Sequence, residues 1–189
     1  MRRVRLLLVG LPAPIAAAAA RSTPAPPASP VSCDRAIDRT KFPYLGSRSS
    51  PYRMVLGVFS VPPAHSVRGA FPTPSPRWAY FRKAGLVVGG GRSAPVTVSV
   101  PSAWRSRVGI QWGNSGVRSS LRIARCQTPS DVGSAFAGGF YLRSRTACVP
   151  LVFHVGRRTE SVRFGIGPTC PSETWPAAWP RDMSPGANP

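Results

Sequence analysis

Val149-Pro150-Leu151-Val152-Phe153-His154-Val155, linked through Gly156-Arg157-Arg158 to Ser161-Val162-Arg163-Phe164-Gly165-Ile166, decides the fold class of this 189-residue chain. In the second run Val162, Phe164 and Ile166 occupy one phase, and Ser161, Arg163 and Gly165 the other. A period of two sends successive side chains to opposite faces of a strand. Two such runs joined by a short glycine-containing link read as a hairpin. The pattern recurs upstream. Val96, Val98 and Val100 alternate with Thr97 and Ser99, and Val108, Ile110 and Trp112 alternate with Arg107, Gly109 and Gln111. One apolar and one polar face per strand mark a half-solvated antiparallel sheet, and two such sheets face to face make a sandwich. Strands are expected at residues 52–61, 79–88, 94–100, 105–112, 119–126, 139–143, 149–155 and 161–166. No window carries a helical period. The expected fold is therefore all-β: a single antiparallel β-sandwich of about eight strands, immunoglobulin-like in architecture.

The flanks divide the rest. Arg2, Arg3 and Arg5 precede an apolar, alanine-rich run, with Ala18 and Ala20 as small residues at a cleavage point. These are the parts of a signal peptide, expected over residues 1–20. The run is about 15 residues long and carries Pro12 and Pro14, too short and too broken to span a bilayer. Residues 21–32, rich in Pro, Ala and Ser, read as a disordered linker. Residues 33–170 form the domain, and residues 171–189 read as a mobile Pro-rich tail carrying Trp175 and Trp179. No later stretch is long and apolar enough to cross a membrane, so the exported chain is expected to have no transmembrane segment.

Export determines how the four cysteines are read. Cys33, Cys126, Cys148 and Cys170 are an even set in an oxidising compartment, and two disulfides are the default. Three pairings exist. If the last four strands run up and down, Cys126 lies at one end and Cys148 and Cys170 at the other. This favours Cys148–Cys170 with Cys33–Cys126, unless the long 127–138 connection reroutes the chain. Cysteine catalysis and zinc are disfavoured. Cys148 and His154 sit about 20 Å apart along one strand, and there is no close cysteine pair to begin a metal site. No metal and no cofactor are expected.

The charge is lopsided. Lys and Arg number 25 against six Asp and Glu, net +19, and only Lys41 and Lys83 are lysines. Removing Arg2, Arg3 and Arg5 with the leader takes away three positive charges and no acid, so the excess resides in the exported part. A basic secreted domain attracts polyanions. A row of arginines on the polar phase of the strands is the sharpest candidate for a surface that uses this charge. It comprises Arg107, Arg122, Arg143 and Arg163, with His154 on the polar phase of its own strand and Tyr141 an aromatic neighbour of Arg143. If their strands share one sheet, they form a flat ladder of forks suited to carboxylate and phosphate groups. An ordinary solvated face in an arginine-rich protein is the bland alternative.

Catalytic constellations are weaker. Gly113-Asn114-Ser115-Gly116 and Ala64-His65-Ser66 faintly resemble the nucleophile and histidine segments of trypsin-like proteases. No acid lies between Asp38 and Asp131 to serve as the third member, however, and a turn explains the glycines better. Gly89-Gly90-Gly91-Arg92 follows a strand as a phosphate loop does. The next segment opens a strand rather than a helix, so a hairpin connection is expected. Asp131 and Glu160 are the acids nearest the expected strands, and neither sits among residues that would raise its pKa.

The stretches Tyr52-Arg53-Met54-Val55-Leu56-Gly57-Val58-Phe59, Gly138-Gly139-Phe140-Tyr141-Leu142, Cys148-Val149-Pro150-Leu151 and Phe164-Gly165-Ile166-Gly167 resemble a group of uncharacterised secreted proteins of high-GC Gram-positive bacteria. The resemblance spans residues 52–170. It implies secretion and one domain, and brings no ligand or catalytic residue. The expected function is a non-catalytic, secreted protein associated with the cell wall. It binds anionic wall polymers or acidic glycans through a basic sheet face, with no specific nucleic acid partner. The rival expectations are a small secreted hydrolase acting on wall material and a structural or protein-interaction module.

Overall fold

A computed structural model describes residues 27–47, 50–63, 65–66, 69–167 and 170. The leader, most of the linker and the tail with Trp175 and Trp179 lie outside the described residues. The chain is all-β. Its strands are β1 (Ser29–Val31), β2 (Asp38–Lys41), β3 (Gly46–Ser47), β4 (Ser50–Pro51), β5 (Arg53–Val55) and β6 (Phe59–Val61). Then come β7 (His65–Ser66), β8 (Phe71–Pro72), β9 (Tyr80–Lys83), β10 (Leu86–Gly89), β11 (Val96–Ser99) and β12 (Val108–Trp112). The last five are β13 (Ser120–Ile123), β14 (Val132–Phe136), β15 (Gly138–Leu142), β16 (Ala147–Val155) and β17 (Arg158–Ile166). Two 3-10 turns, Cys33–Arg35 and Ser102–Trp104, are the only helical elements among the described residues.

Three mostly antiparallel sheets result. A six-stranded sheet runs β1-β13-β11-β16-β17-β7, a five-stranded sheet β2-β14-β10-β6-β5 and a four-stranded sheet β12-β15-β9-β8, with β3-β4 as a separate ladder. At the two edges of the six-stranded sheet β1 pairs in parallel with β13 and β7 in parallel with β17. The two smaller sheets share chain segments. β10 pairs with β14 in one while β9 pairs with β15 in the other, and only Ala84-Gly85 and Ala137 separate the halves. At this bend the backbones press together. A Cβ on Gly138 or Gly139 would fall inside van der Waals contact of the carbonyls of Gln111 and Arg82. Only glycine tolerates such an approach.

One core joins all three sheets. Phe59 on β6 meets Phe153 on β16 at 5.0 Å, and Phe140 on β15 meets Phe164 on β17 at 5.3 Å, so aromatic contacts reach the six-stranded sheet from both smaller ones. Val96, Val98, Val108, Ile110, Leu151, Val162 and Ile166 are buried, as their alternation required. The buried serines are satisfied: Ser60 accepts from the Tyr44 N–H and Ser134 from the Arg39 guanidinium.

The expected strand map needs four corrections. Residues 52–61 are not one strand but a hairpin, β5 and β6. Leu56 and Gly57 both take positive φ, 54° and 69°, and the Val58 N–H reaches back to the Val55 carbonyl, closing a tight turn. Residues 79–88 break at the bend into β9 and β10. The 127–138 connection contains β14, and Ser29–Val31, placed in the linker, pairs with β13. Among the described residues seventeen strands, most of them five residues or fewer, thus replace the eight expected. The hairpin β16–β17 stands as read, with nine paired positions around Gly156-Arg157. Both disulfides join the favoured partners, Cys33–Cys126 and Cys148–Cys170.

Tyr52 carries a pH consequence. Burial, reinforced by the neighbouring Tyr44 phenol, pushes its hydroxyl above the ordinary tyrosine value, against a backbone hydrogen bond from Gly85. The Tyr44 and Tyr52 rings meet edge-on at 4.9 Å. A raised folded pKa gives stability that is whole below the unfolded tyrosine value and is lost as pH rises through the folded one. Denaturant midpoints should therefore fall above about pH 10, and Tyr52→Phe should flatten that fall. An unchanged alkaline slope in the variant would contradict the assignment.

Candidate functional site

The six arginine-row residues do not share a sheet. Arg122, His154 and Arg163 lie on the outer face of the six-stranded sheet. Arg122 and His154 both stand opposite Thr97, two strands apart. Arg163 stands opposite Pro150, four residues along β16 from His154, about 13 Å away along the strand. His154 Nδ1 lies 3.1 Å from the Thr159 hydroxyl. These side chains are too far apart for one ladder. Alternation fixes only which side a residue faces, whereas sheet membership depends on distant pairing.

The other half of the row does come together, on the four-stranded sheet. The Arg143 N–H donates to the Arg107 carbonyl at 3.2 Å, continuing the β12–β15 ladder by one step and setting the two exposed arginines opposite each other. Arg107 is held from below: its guanidinium lies 4.4 Å from the centre of the Trp104 ring and donates to the Ala103 carbonyl. Trp104 belongs to the 3-10 turn that delivers the chain into β12.

Two residues toward the middle of β15, on the same phase as Arg143, Tyr141 stands opposite Phe81, which stands opposite Phe71. The Phe81 and Tyr141 rings are 4.8 Å apart, and Phe71 is 57 % exposed. With Pro72 and Pro74 these rings border a shallow groove of about 480 Å³. Past Tyr141 the row ends on Gly109, whose face Trp78 and Val117 cover, with Arg77 stacked on Trp78 at 5.2 Å. An open aromatic row flanked by guanidiniums can stack on flat apolar faces and fork onto acidic groups. Sequence reasoning placed Tyr141, Arg107 and Arg143 but missed Phe71 and Phe81, which become neighbours of Tyr141 only through register.

The other candidates are structural where the described residues show them. The Gly113-Asn114 turn follows β12, and the Ser115 hydroxyl donates to the Gly116 carbonyl. His65 lies in β7, paired with Gly165. The carboxylates are dispersed. Asp34 is in the first 3-10 turn, where a hydrogen bond from Ser32 holds it below the usual range. Asp38 is on β2, Asp131 precedes β14, and Glu160 on β17 accepts from the Leu56 N–H while Arg158 donates to the Leu56 carbonyl. Among the described residues no group of three or more His, Cys, Asp or Glu could hold a metal, and no helix is long and apolar enough to cross a membrane. Comparison with known proteins finds no matching family model, curated protein or solved structure.

Proposed function

We propose that the chain is a secreted, non-catalytic module of the cell envelope, a disulfide-stapled β-sandwich that binds acidic glycans or anionic wall polymers. In this reading the six-stranded sheet forms one layer and the two smaller sheets the other, an immunoglobulin-like arrangement without its strand count. Two disulfides suit an oxidising, extracellular setting. The binding surface is the outer face of the four-stranded sheet. One observation carries the reading: Arg107 and Arg143 stand opposite each other beside the Tyr141–Phe81–Phe71 row. Sugar rings present flat C–H faces to aromatic side chains, and uronate or phosphate groups along a polymer match the arginine forks. Arg122 and Arg163, on the other sheet, supply only long-range attraction.

The test is binding of the mature chain to isolated cell wall and to soluble acidic polysaccharide across a salt series. Tyr141→Ala should weaken binding about tenfold, as should Arg107→Gln with Arg143→Gln, each equivalent to about 1.4 kcal/mol. Arg122→Gln with Arg163→Gln should cost less than threefold. Equal losses from both arginine pairs would reduce the face to background charge, and binding unchanged at high salt would contradict recognition through charge at all. The hydrolase alternative requires converging carboxylates, and release of soluble fragments from wall material would favour it.

A further inference from the structure

A second basic feature lies away from the aromatic face, where the chain crosses from β10 in the five-stranded sheet to β11 in the six-stranded one. Gly89-Gly90-Gly91-Arg92 was expected to be a hairpin connection. It is instead an arch between sheets, pressed against the segment that follows β13. The Gly90 and Gly91 N–H groups donate to the carbonyls of Val132 and Thr128, and a Cβ on Gly90 would collide with Thr128 and Pro129. Between arch and segment lies an open pocket of about 360 Å³ lined by Arg92, Arg125, Gln127 and Thr128.

Its arginines are placed differently. Arg92 is half-buried and clamped, donating from Nε to the Gly89 carbonyl, from Nη1 to Ala94 and from Nη2 to Ala124, at 3.0, 3.0 and 2.6 Å. Three of its five N–H groups are spent on the fold, leaving one on each terminal nitrogen. Arg125 is exposed and makes no hydrogen bond or ion pair among the described residues. Burial, and then the charge of Arg125, both act against the charged form of Arg92. Two arginines thus line one small space, one clamped on backbone carbonyls and one without a hydrogen-bond partner among the described residues, with no acid in the lining. The Cys33–Cys126 bridge fixes the adjoining wall.

We infer that this pocket binds a tetrahedral oxyanion of the phosphate class, held by the remaining N–H groups of Arg92 and by the Arg125 fork. The site needs no helix N-terminus, so the absence of a nucleotide-type phosphate loop does not count against it. Nor does it depend on the aromatic face, which shares none of its residues.

The experiment is a titration of the mature, disulfide-intact chain with inorganic phosphate and, separately, with dimethyl phosphate, followed by NMR at the Arg92 Nε–H and the Gly90 and Gly91 amides at constant ionic strength. Saturable shifts at these groups are expected. Arg125→Gln should weaken binding at least tenfold without moving the melting temperature, and Arg107→Gln with Arg143→Gln should leave it unchanged. Binding of phosphate alone would identify a free phosphate or monoester as the occupant. Binding of both probes would identify the internal phosphodiester of a polymer. Non-saturating shifts with both, or equal affinity in the Arg125→Gln chain, would overturn the inference. Arg92→Lys is a second variant that keeps the charge and loses the carbonyl clamp. It should bind more weakly than the native chain even where it still folds, and native affinity in that chain would count against the site.

Discussion

Trp112→Ala should lower unfolding stability by about 3–5 kcal/mol, the range for emptying an aromatic site in a core. Trp112 is 2 % exposed and meets Phe140 edge-on at 6.0 Å. Its indole N–H donates to the Ala84 carbonyl at 2.9 Å. That carbonyl lies at the bend where β9 gives way to β10, so the tryptophan fills the core and also caps the backbone at the point where the two smaller sheets part. The two roles separate by mutation. Trp112→Phe keeps most of the apolar volume and leaves the carbonyl unpaired, a cost of about 1–3 kcal/mol. Urea unfolding with both disulfides intact reads both numbers, and an unchanged m-value keeps the comparison within one transition. Against a total of about 5–15 kcal/mol for an ordinary domain, the alanine variant should lose a large share of its stability. A loss below 1 kcal/mol would mean that the bend is held by the Gly138-Gly139 approach alone.

The same bend shows where the sequence stops being legible. β11, β12, β16 and β17 were readable because each buries one face, and burial on one face imprints a period of two. β14 was not. Val132-Gly133-Ser134-Ala135-Phe136 has few strand-forming side chains, because another residue occupies their space. The Phe42 ring lies 3.1 Å from where a Gly133 Cβ would stand and 2.6 Å from that of Gly89. A side chain 47 or more residues upstream dictates these glycines, and no local pattern records that. The hairpin β5–β6 failed for a different reason: Leu56 at φ 54° is a residue that rarely takes such a conformation, so only Gly57 hinted at a turn.

The candidate face divides in the same way. Tyr141 reads as an aromatic neighbour of Arg143, and the two lie two residues apart at the end of β15. Whether Arg122 and Arg163 join them depends on which strands pair, and the chain crosses between sheets at the Gly89–Ala94 arch rather than turning back on itself. The arginine of that arch, read only as part of a rejected motif, donates three hydrogen bonds to backbone carbonyls.

Removing the Cys33–Cys126 bridge should cost about 4–5 kcal/mol, more than removing Cys148–Cys170. The first spans a sequence separation of 93 and the second one of 22. Chain-entropy arithmetic gives about 4.6 and about 3.4 kcal/mol for loops of these sizes. Local structure widens the difference. Without its bridge, the segment around Cys33 is held by short pairings on either side, the three-residue parallel pairing of β1 with β13 before it and the Ile37 N–H bond to the Ala135 carbonyl with the β2–β14 ladder after it. Without the second bridge, β16 and β17 still hold each other over nine paired positions, so the main loss is the attachment of the chain beyond Ile166. Paired Cys→Ala variants, compared by denaturant unfolding, should therefore rank the 33/126 variant as the less stable. Amide exchange should rise across residues 29–36 in that variant and stay slow in β16 and β17 in both. Equal destabilisation would mean that the 22-residue loop is restrained by more than its hairpin. Unchanged protection at residues 29–36 would mean that β1 docks through its own contacts, with the bridge restraining only the unfolded chain.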